Sequence, residues 1–177
     1  MYIPYGRQYV DDEDIEEVVK VLKSDFLTTG PVIEEFEKKV ADYVGAKYAV
    51  AVANGTAALH SACYAANIGK GDEVITTPIT FAASSNCAFY CGAVPVFADI
   101  DPKTYNIDPS DIEKKITDRT KAIIAVHFTG QPCDMGRIHE IANKHGLIVI
   151  EDAAHALGAV YELSLIHISE PTRQAEI

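Results

Sequence analysis

The chain has 177 residues, 48% of them hydrophobic and 23% charged, a composition that fits one globular domain, or most of one, with a core of ordinary size. A formal charge of −11 at pH 7 excludes duplex nucleic acid and anionic membranes as main partners, because the phosphate attraction that dominates such binding turns into repulsion. A small anionic ligand held locally stays compatible with it.

The N-terminus, Met1-Tyr-Ile-Pro-Tyr-Gly-Arg7, lacks a basic-then-apolar leader pattern, and no apolar run reaches membrane-spanning length. The expected location is cytoplasmic. Ile15, Val18, Val19 and Leu22 recur at helical spacing behind acidic residues, which predicts an amphipathic helix over 11–23. The stretch Ser24-Asp-Phe-Leu-Thr-Thr-Gly-Pro31 breaks it as a loop, and from spacing alone its threonines read as turn chemistry. A second helix is predicted up to residue 44, with Ile33, Phe36, Val40, Tyr43 and Val44 inward and Gly45 as its stop.

From residue 48 the pattern alternates. Apolar strands are predicted at 48–53, 73–76, 94–98, 122–126 and 147–150, with helices between them at 56–66, 81–91, 109–116 and 135–145. Asp108 caps a helix that has Pro109 in its first position, and Asp134 precedes Met135 in the same way. Such alternation predicts an α/β fold whose mostly parallel sheet carries helices on both faces. The cysteines, Cys63, Cys87, Cys91 and Cys133, make no Cys-x-x-Cys pair and read as buried free thiols in a reduced cytosol.

Three strand ends carry residues able to do chemistry. In Asn54-Gly55-Thr56-Ala57-Ala58 a strand turns into an alanine-rich helix, whose first amides and positive dipole end favour a phosphate or carboxylate. It is neither a Walker A loop nor Gly-x-Gly-x-x-Gly. In Thr76-Thr-Pro-Ile-Thr-Phe81 the aromatic ring fits either a core position or a platform for a planar ligand. The strand 147–150 delivers Glu151 and Asp152 at its carboxyl end, where open α/β sheets bind ligands, and His155 follows. By itself that carboxylate suits a cationic ring nitrogen, a ribose hydroxyl or a metal.

No zinc spacing is present, since His139-Glu140 lacks a second histidine, and there is no Gly-x-Ser-x-Gly elbow. His127, His139 and His145 read as structural or surface residues. Together, a phosphate-type helix start, an aromatic plate and an Asp with a His fit a flat, phosphorylated, nitrogen-containing ring. A carboxylate that keeps the ring nitrogen protonated makes such a ring an electron sink, which points to pyridoxal phosphate.

The ordered motifs Phe26-Leu-Thr-Thr-Gly-Pro31, Asn54-Gly-Thr-Ala-Ala58, Thr77-Pro-Ile-Thr-Phe81, Val96-Phe-Ala-Asp-Ile-Asp101 and Glu151-Asp-Ala-Ala-His-Ala156 resemble the DegT/DnrJ/StrS group of sugar aminotransferases. The resemblance implies the N-terminal part, residues 1–162, of the large domain of a fold-type I, pyridoxal phosphate-dependent transferase. It implies that the amides of Gly55, Thr56 and Ala57 bind the cofactor phosphate, that Phe81 stacks on the pyridine ring, that Asp152 pairs with the ring nitrogen and that His155 lies near the ring hydroxyl. Tyr5, Phe26, Leu27 and Thr28 match the region that contacts the sugar nucleotide.

The implied reaction moves an amino group from glutamate to a nucleotide-linked keto sugar, and family members pair as homodimers. Ile3-Pro-Tyr-Gly-Arg-Gln8 and His127-Phe-Thr-Gly-Gln-Pro-Cys-Asp134 further resemble members that make the 4-amino sugar precursor of pseudaminic acid. Members acting on another keto sugar, or as dehydratases with His in place of the Schiff-base lysine, are the neighbouring expectations.

In the family that lysine lies on a segment after the Asp strand, whereas the last lysine here is Lys144. The chain alone is therefore expected to be inactive, and a non-catalytic cofactor-binding or regulatory fragment is the alternative. Residues 163–177, Leu-Ser-Leu-Ile-His-Ile-Ser-Glu-Pro-Thr-Arg-Gln-Ala-Glu-Ile, have neither the glycine turn nor the lysine of the family. They resemble translated sequencing-adapter read-through and are expected to be a non-native tail.

Overall fold

The computed structural model describes residues 9–162 and the backbone of 164–165. The chain divides into two compact units, Met1–Tyr43 with Lys47–Ala51, and Val44–Ala46 with Val52–Ile177.

The first unit is helical. Helix α1, Asp12–Leu22, opens on a reciprocal cap in which Asp11 accepts from the Glu13 and Asp14 amides while Asp14 accepts from the Asp11 amide. Helix α2, Pro31–Val44, starts with proline in its first position, and Gly45 follows it with a φ of 74°. The apolar stripes have the predicted spacing but not all the predicted burial. Val44 is buried and Val40 partly so, whereas Ile33, Phe36 and Tyr43 are exposed, as are Ile15, Val18, Val19 and Leu22 of α1. Spacing sets which residues share a face, and burial also requires something to cover that face.

A strand at 48–53 is not formed. Tyr48, Val50 and Val52 are exposed, and the Ala51 amide donates to the Glu37 carboxylate at 2.7 Å instead of to a neighbouring strand. A strand is a paired object, and among the described residues none pairs with this segment.

The second unit carries the sheet. Strands β1 (Glu73–Thr76), β2 (Val94–Phe97), β3 (Thr120–Val126) and β4 (Ile148–Asp152) lie in the order β2-β1-β3-β4, all parallel. Helix α3 (Gly55–Ala65) precedes β1, α4 (Ala83–Tyr90) links β1 to β2, α5 (Pro109–Lys115) links β2 to β3, and α6 (Met135–His145) links β3 to β4.

Alternate strand residues separate two cores. Val74, Ala122, Ile124 and Val126 pack with Leu59 and Cys63 of α3 and Cys87 and Ala88 of α4. On the other face Ile75, Ile123 and Ala125 pack with Ile112 of α5 and Ile138 and Ile141 of α6. Each fully buried isoleucine contributes about 1.5–3 kcal/mol relative to exposure.

Asp108 and Asp134 cap α5 and α6 as their spacing predicts, accepting from the Ser110 and Arg137 amides at 2.8 and 3.2 Å. All four cysteines are free, with Cys63, Cys87 and Cys133 buried and Cys91 partly so. Beyond β4, β5 (Val160–Tyr161) pairs antiparallel with β6 (Ser164–Leu165). Apart from that backbone, the expected non-native tail at 163–177 lies outside the described residues, and so does Tyr5.

Candidate active site

The strand order turns the chain in opposite directions from β1: to β2 through α4 on one face, and onward to β3 through α5 on the other. A crevice outside the carboxyl ends of the strands is expected at such a switch point. A pocket of about 420 Å³ lies there, lined by Pro78 to Phe81 after β1, Val126 to Phe128 at the end of β3, and Asp152, Ala154 and His155 at the end of β4.

Adjacent residues at the end of β4 point to opposite faces of the sheet. Glu151 is level with Ala125, whose side chain belongs to the α5–α6 core, and Asp152 with Val126 of the α3–α4 core. Their partners follow this division. His127 is 1% exposed, and its Nε2 lies 2.9 Å from Glu151 Oε2. Its Nδ1 accepts the Cys133 amide at 3.1 Å, so a neutral ring carries its hydrogen on Nε2 and donates it to Glu151. Asp152 turns the other way: Oδ2 accepts from the Ser84 hydroxyl at 2.7 Å and Oδ1 from the Ala154 amide at 3.3 Å.

The loops that shape the pocket are tied from beneath. Asn106, 3% exposed, accepts the Phe128 amide at 2.9 Å and donates to the carbonyls of Gln131 and Pro132 at 3.0 and 2.9 Å. These bonds hold the tight turn after β3, in which Thr129 has a φ of 54° and Gly130 of 88°.

Phe81 is 77% exposed on the rim, the platform position rather than the core position. It stays outside α4 because that helix begins at Ala83, later than the predicted residue 81. Phe81, Asp152 and His155 thus share one pocket. Gly55, Thr56 and Ala57 do not line it; they form the first turn of α3 in the same unit. There the Ala57 amide donates to Asn54 Oδ1 at 2.9 Å, while the hydrogen bonds among the described residues give the Gly55 and Thr56 amides no acceptor. A Cβ on Gly55 would meet nothing within 4 Å, so the backbone there is open to a ligand. Phe26, Leu27 and Thr28 belong to the first unit, where Phe26 and Leu27 are exposed.

These residues fit a phosphorylated pyridine. The pocket offers an anionic acceptor held by donors on both oxygens, an uncovered aromatic face and, among the described residues, no lysine or arginine that would cancel the carboxylate. Among the described residues no group of three or more His, Cys, Asp or Glu side chains is placed to hold a metal ion, and no helix is long and apolar enough to cross a membrane. Spacing did not single out Ser84 or His127. Thr80 and Ser84, one helical turn apart just after a strand end, were the available signal for the former. His127, directly after a buried strand, was the signal for the latter.

Comparison with known proteins gives concordant matches. Residues 8–164 match the profile of the DegT/DnrJ/EryC1/StrS aminotransferase family. The spore coat polysaccharide biosynthesis protein SpsC of Bacillus subtilis is 50% identical over 93% of this chain and 42% of its own length. Spr1654 from Streptococcus pneumoniae, solved in its PLP form, superposes with a TM-score of 0.87 at 32% identity, over 92% of this chain and 45% of that one. Helicobacter pylori PseC, described as an aminotransferase involved in the biosynthesis of pseudoaminic acid, gives 0.86 at 34% identity, over 92% and 44%. The chain spans about two-fifths of the length of the curated relatives it matches.

Proposed function

The chain belongs to the DegT/DnrJ/EryC1/StrS aminotransferase family, and from that premise we propose that its protein is a pyridoxal phosphate-dependent transaminase carrying an amino group from glutamate to a nucleotide-linked keto sugar. In this reading residues 1–162 are the N-terminal part of its large domain, residues 163–177 are foreign to it, and the full-length protein works as a homodimer in the cytoplasm. The observation that carries the proposal is one pocket at the sheet's switch point lined by both Asp152 and the exposed Phe81.

Bound there, the cofactor supplies the electron sink that amino transfer requires. Asp152, gripped by Ser84 and the Ala154 amide, would hold a proton at the ring nitrogen. Phe81 would stack on the ring and keep water from it, and His155 would lie near the ring hydroxyl. The Gly55 and Thr56 amides are available to a phosphate, and that of Ala57 becomes so when Asn54 releases it. Tyr5, Phe26, Leu27 and Thr28 are assigned to the sugar nucleotide.

No lysine lines the pocket, and Lys144, the last in the sequence, pairs with Glu113 at 2.5 Å. This favours a second reading for the chain by itself, a cofactor-binding fragment without turnover. The sugar stays at the level of its class. The motifs shared with the pseudaminic acid branch have weaker support, because PseC is 34% identical whereas SpsC is 50% identical.

Equilibrium dialysis of the chain with pyridoxamine phosphate, which needs no lysine, tests the proposal. Saturable binding that weakens in Phe81→Ala is expected. Absence of saturable binding by a chain with native circular dichroism would contradict it.

A further inference from the structure

We propose that Ser84, backed by Thr80, is a positioning residue that fixes the Asp152 carboxylate for one kind of ligand atom, a protonated aromatic nitrogen. This rests on the reading of the pocket as a pyridine site.

Ser84 is fully buried in the first turn of α4, and its Oγ lies 2.7 Å from Asp152 Oδ2, a residue 68 positions later in the chain. An ionised carboxylate only accepts, so the hydrogen in this contact is Ser84's own. Thr80 Oγ1 lies 2.7 Å from the same Ser84 oxygen. Ser84 Oγ also lies 3.2 Å from the Phe81 carbonyl, but the shorter contact with the charged carboxylate takes its hydrogen, which leaves Thr80 as the donor to Ser84. The two hydroxyl dipoles therefore line up toward Oδ2, and each strengthens the other in a partly buried setting. The Ala154 amide holds Oδ1 from the other side at 3.3 Å, which fixes the plane of the carboxylate as well as its place.

Among the described residues the pocket lining holds no lysine or arginine to pair with the charge so held. His127 is turned away, with Nε2 on Glu151 and Nδ1 on the Cys133 amide. Hydrogen bonds orient the carboxylate without neutralising it, so it favours a ligand that brings both a donor and a positive charge at that point. A pyridinium nitrogen does so; a ring of the same shape with C–H in that position does not. The Thr80–Ser84 pair thereby sets the preference between the two.

The test compares binding of pyridoxamine phosphate with binding of its analogue whose ring nitrogen is replaced by C–H, in the wild-type chain, Ser84→Ala and Thr80→Val. Circular dichroism checks that each variant is folded. The wild type is expected to prefer the nitrogen-containing ring. Ser84→Ala should lose roughly tenfold of that preference, the range for a hydrogen bond to a charged group, with its affinity for the carbon analogue unchanged. Thr80→Val should lose less in the same direction, and it keeps the test decisive where Ser84→Ala does not fold. Retention of the full preference in folded variants would overturn the role of Ser84 and leave the pyridine site standing. A wild type that binds neither compound, or both equally, would overturn the pyridine site and this inference with it.

Discussion

A Cβ placed on Gly130 would lie 2.9 Å from the carbonyl oxygen of His155, so the turn after β3 and the loop after β4 meet through bare backbone. Gly130 also has a φ of 88°, which side chains rarely adopt. Gly130→Ala is therefore expected to cost about 1–3 kcal/mol and to displace His155 from the pocket. Urea denaturation gives the stability and dialysis the loss of pyridoxamine phosphate binding; a variant unchanged in both would show that the contact relaxes freely.

The buried His127 joins β3 to β4 through Glu151 and receives the Cys133 amide. His127→Ala leaves both partners unpaired and is expected to destabilise by about 2–3 kcal/mol. Glu151→Gln keeps an oxygen acceptor for the Nε2 hydrogen and should cost less than Glu151→Ala. Denaturant midpoints of the three variants check the order.

Burial, helped by the charge of Glu151, pushes the Cys133 thiol up to about 12 from an ordinary 9.0. The unfolded chain releases this proton first, so the stability held below the ordinary value is lost as pH rises through the folded one. Between about pH 9 and 12 the wild type should lose stability more steeply than Cys133→Ala. Equal slopes in denaturant titrations would refute the assignment.

On the acid side, the Asp99 amide donates to Asp111 Oδ2 at 2.8 Å and holds the carboxyl below its usual range, with Lys115 and Lys114 adding to the effect. A depressed carboxyl stabilises the fold above its unfolded value, and that stability is lost as pH falls through the folded one. The advantage of the wild type over Asp111→Ala should therefore shrink on acidification below the ordinary carboxylate range. An advantage that persists there would contradict the sign.

Mixed with pyridoxal phosphate and glutamate, the chain should form no pyridoxamine phosphate, because no lysine lines its pocket or follows Lys144. Robust conversion, followed by absorbance, would refute this.

Most elements were legible from local rules. The strands around Val74, Val96, Ile124 and Val149 are short apolar runs, of which the central two are buried on both sides of the parallel sheet, and the helices begin at Asp11, Asp108 and Asp134, whose side chains cap them. Phe81, Asp152 and His155 were legible because ends of parallel strands converge whichever residues lie between. Residues 48–53 misled because an apolar alternation announces a face and not a partner. Ile33 and Phe36 misled in the same way. The Ser84–Asp152 bond was not legible, because it depends on how α4 lies across the strand ends, a relation between segments 68 positions apart.

The pocket's central claim is a pyridine nitrogen held protonated by Asp152. Nitrogen-15 NMR of ring-labelled pyridoxamine phosphate bound to the chain measures this directly. A pyridinium signal in the wild type that moves toward neutral pyridine in Asp152→Asn is the predicted result. A neutral ring nitrogen in the wild-type complex, or a pyridinium signal indifferent to the substitution, would contradict it.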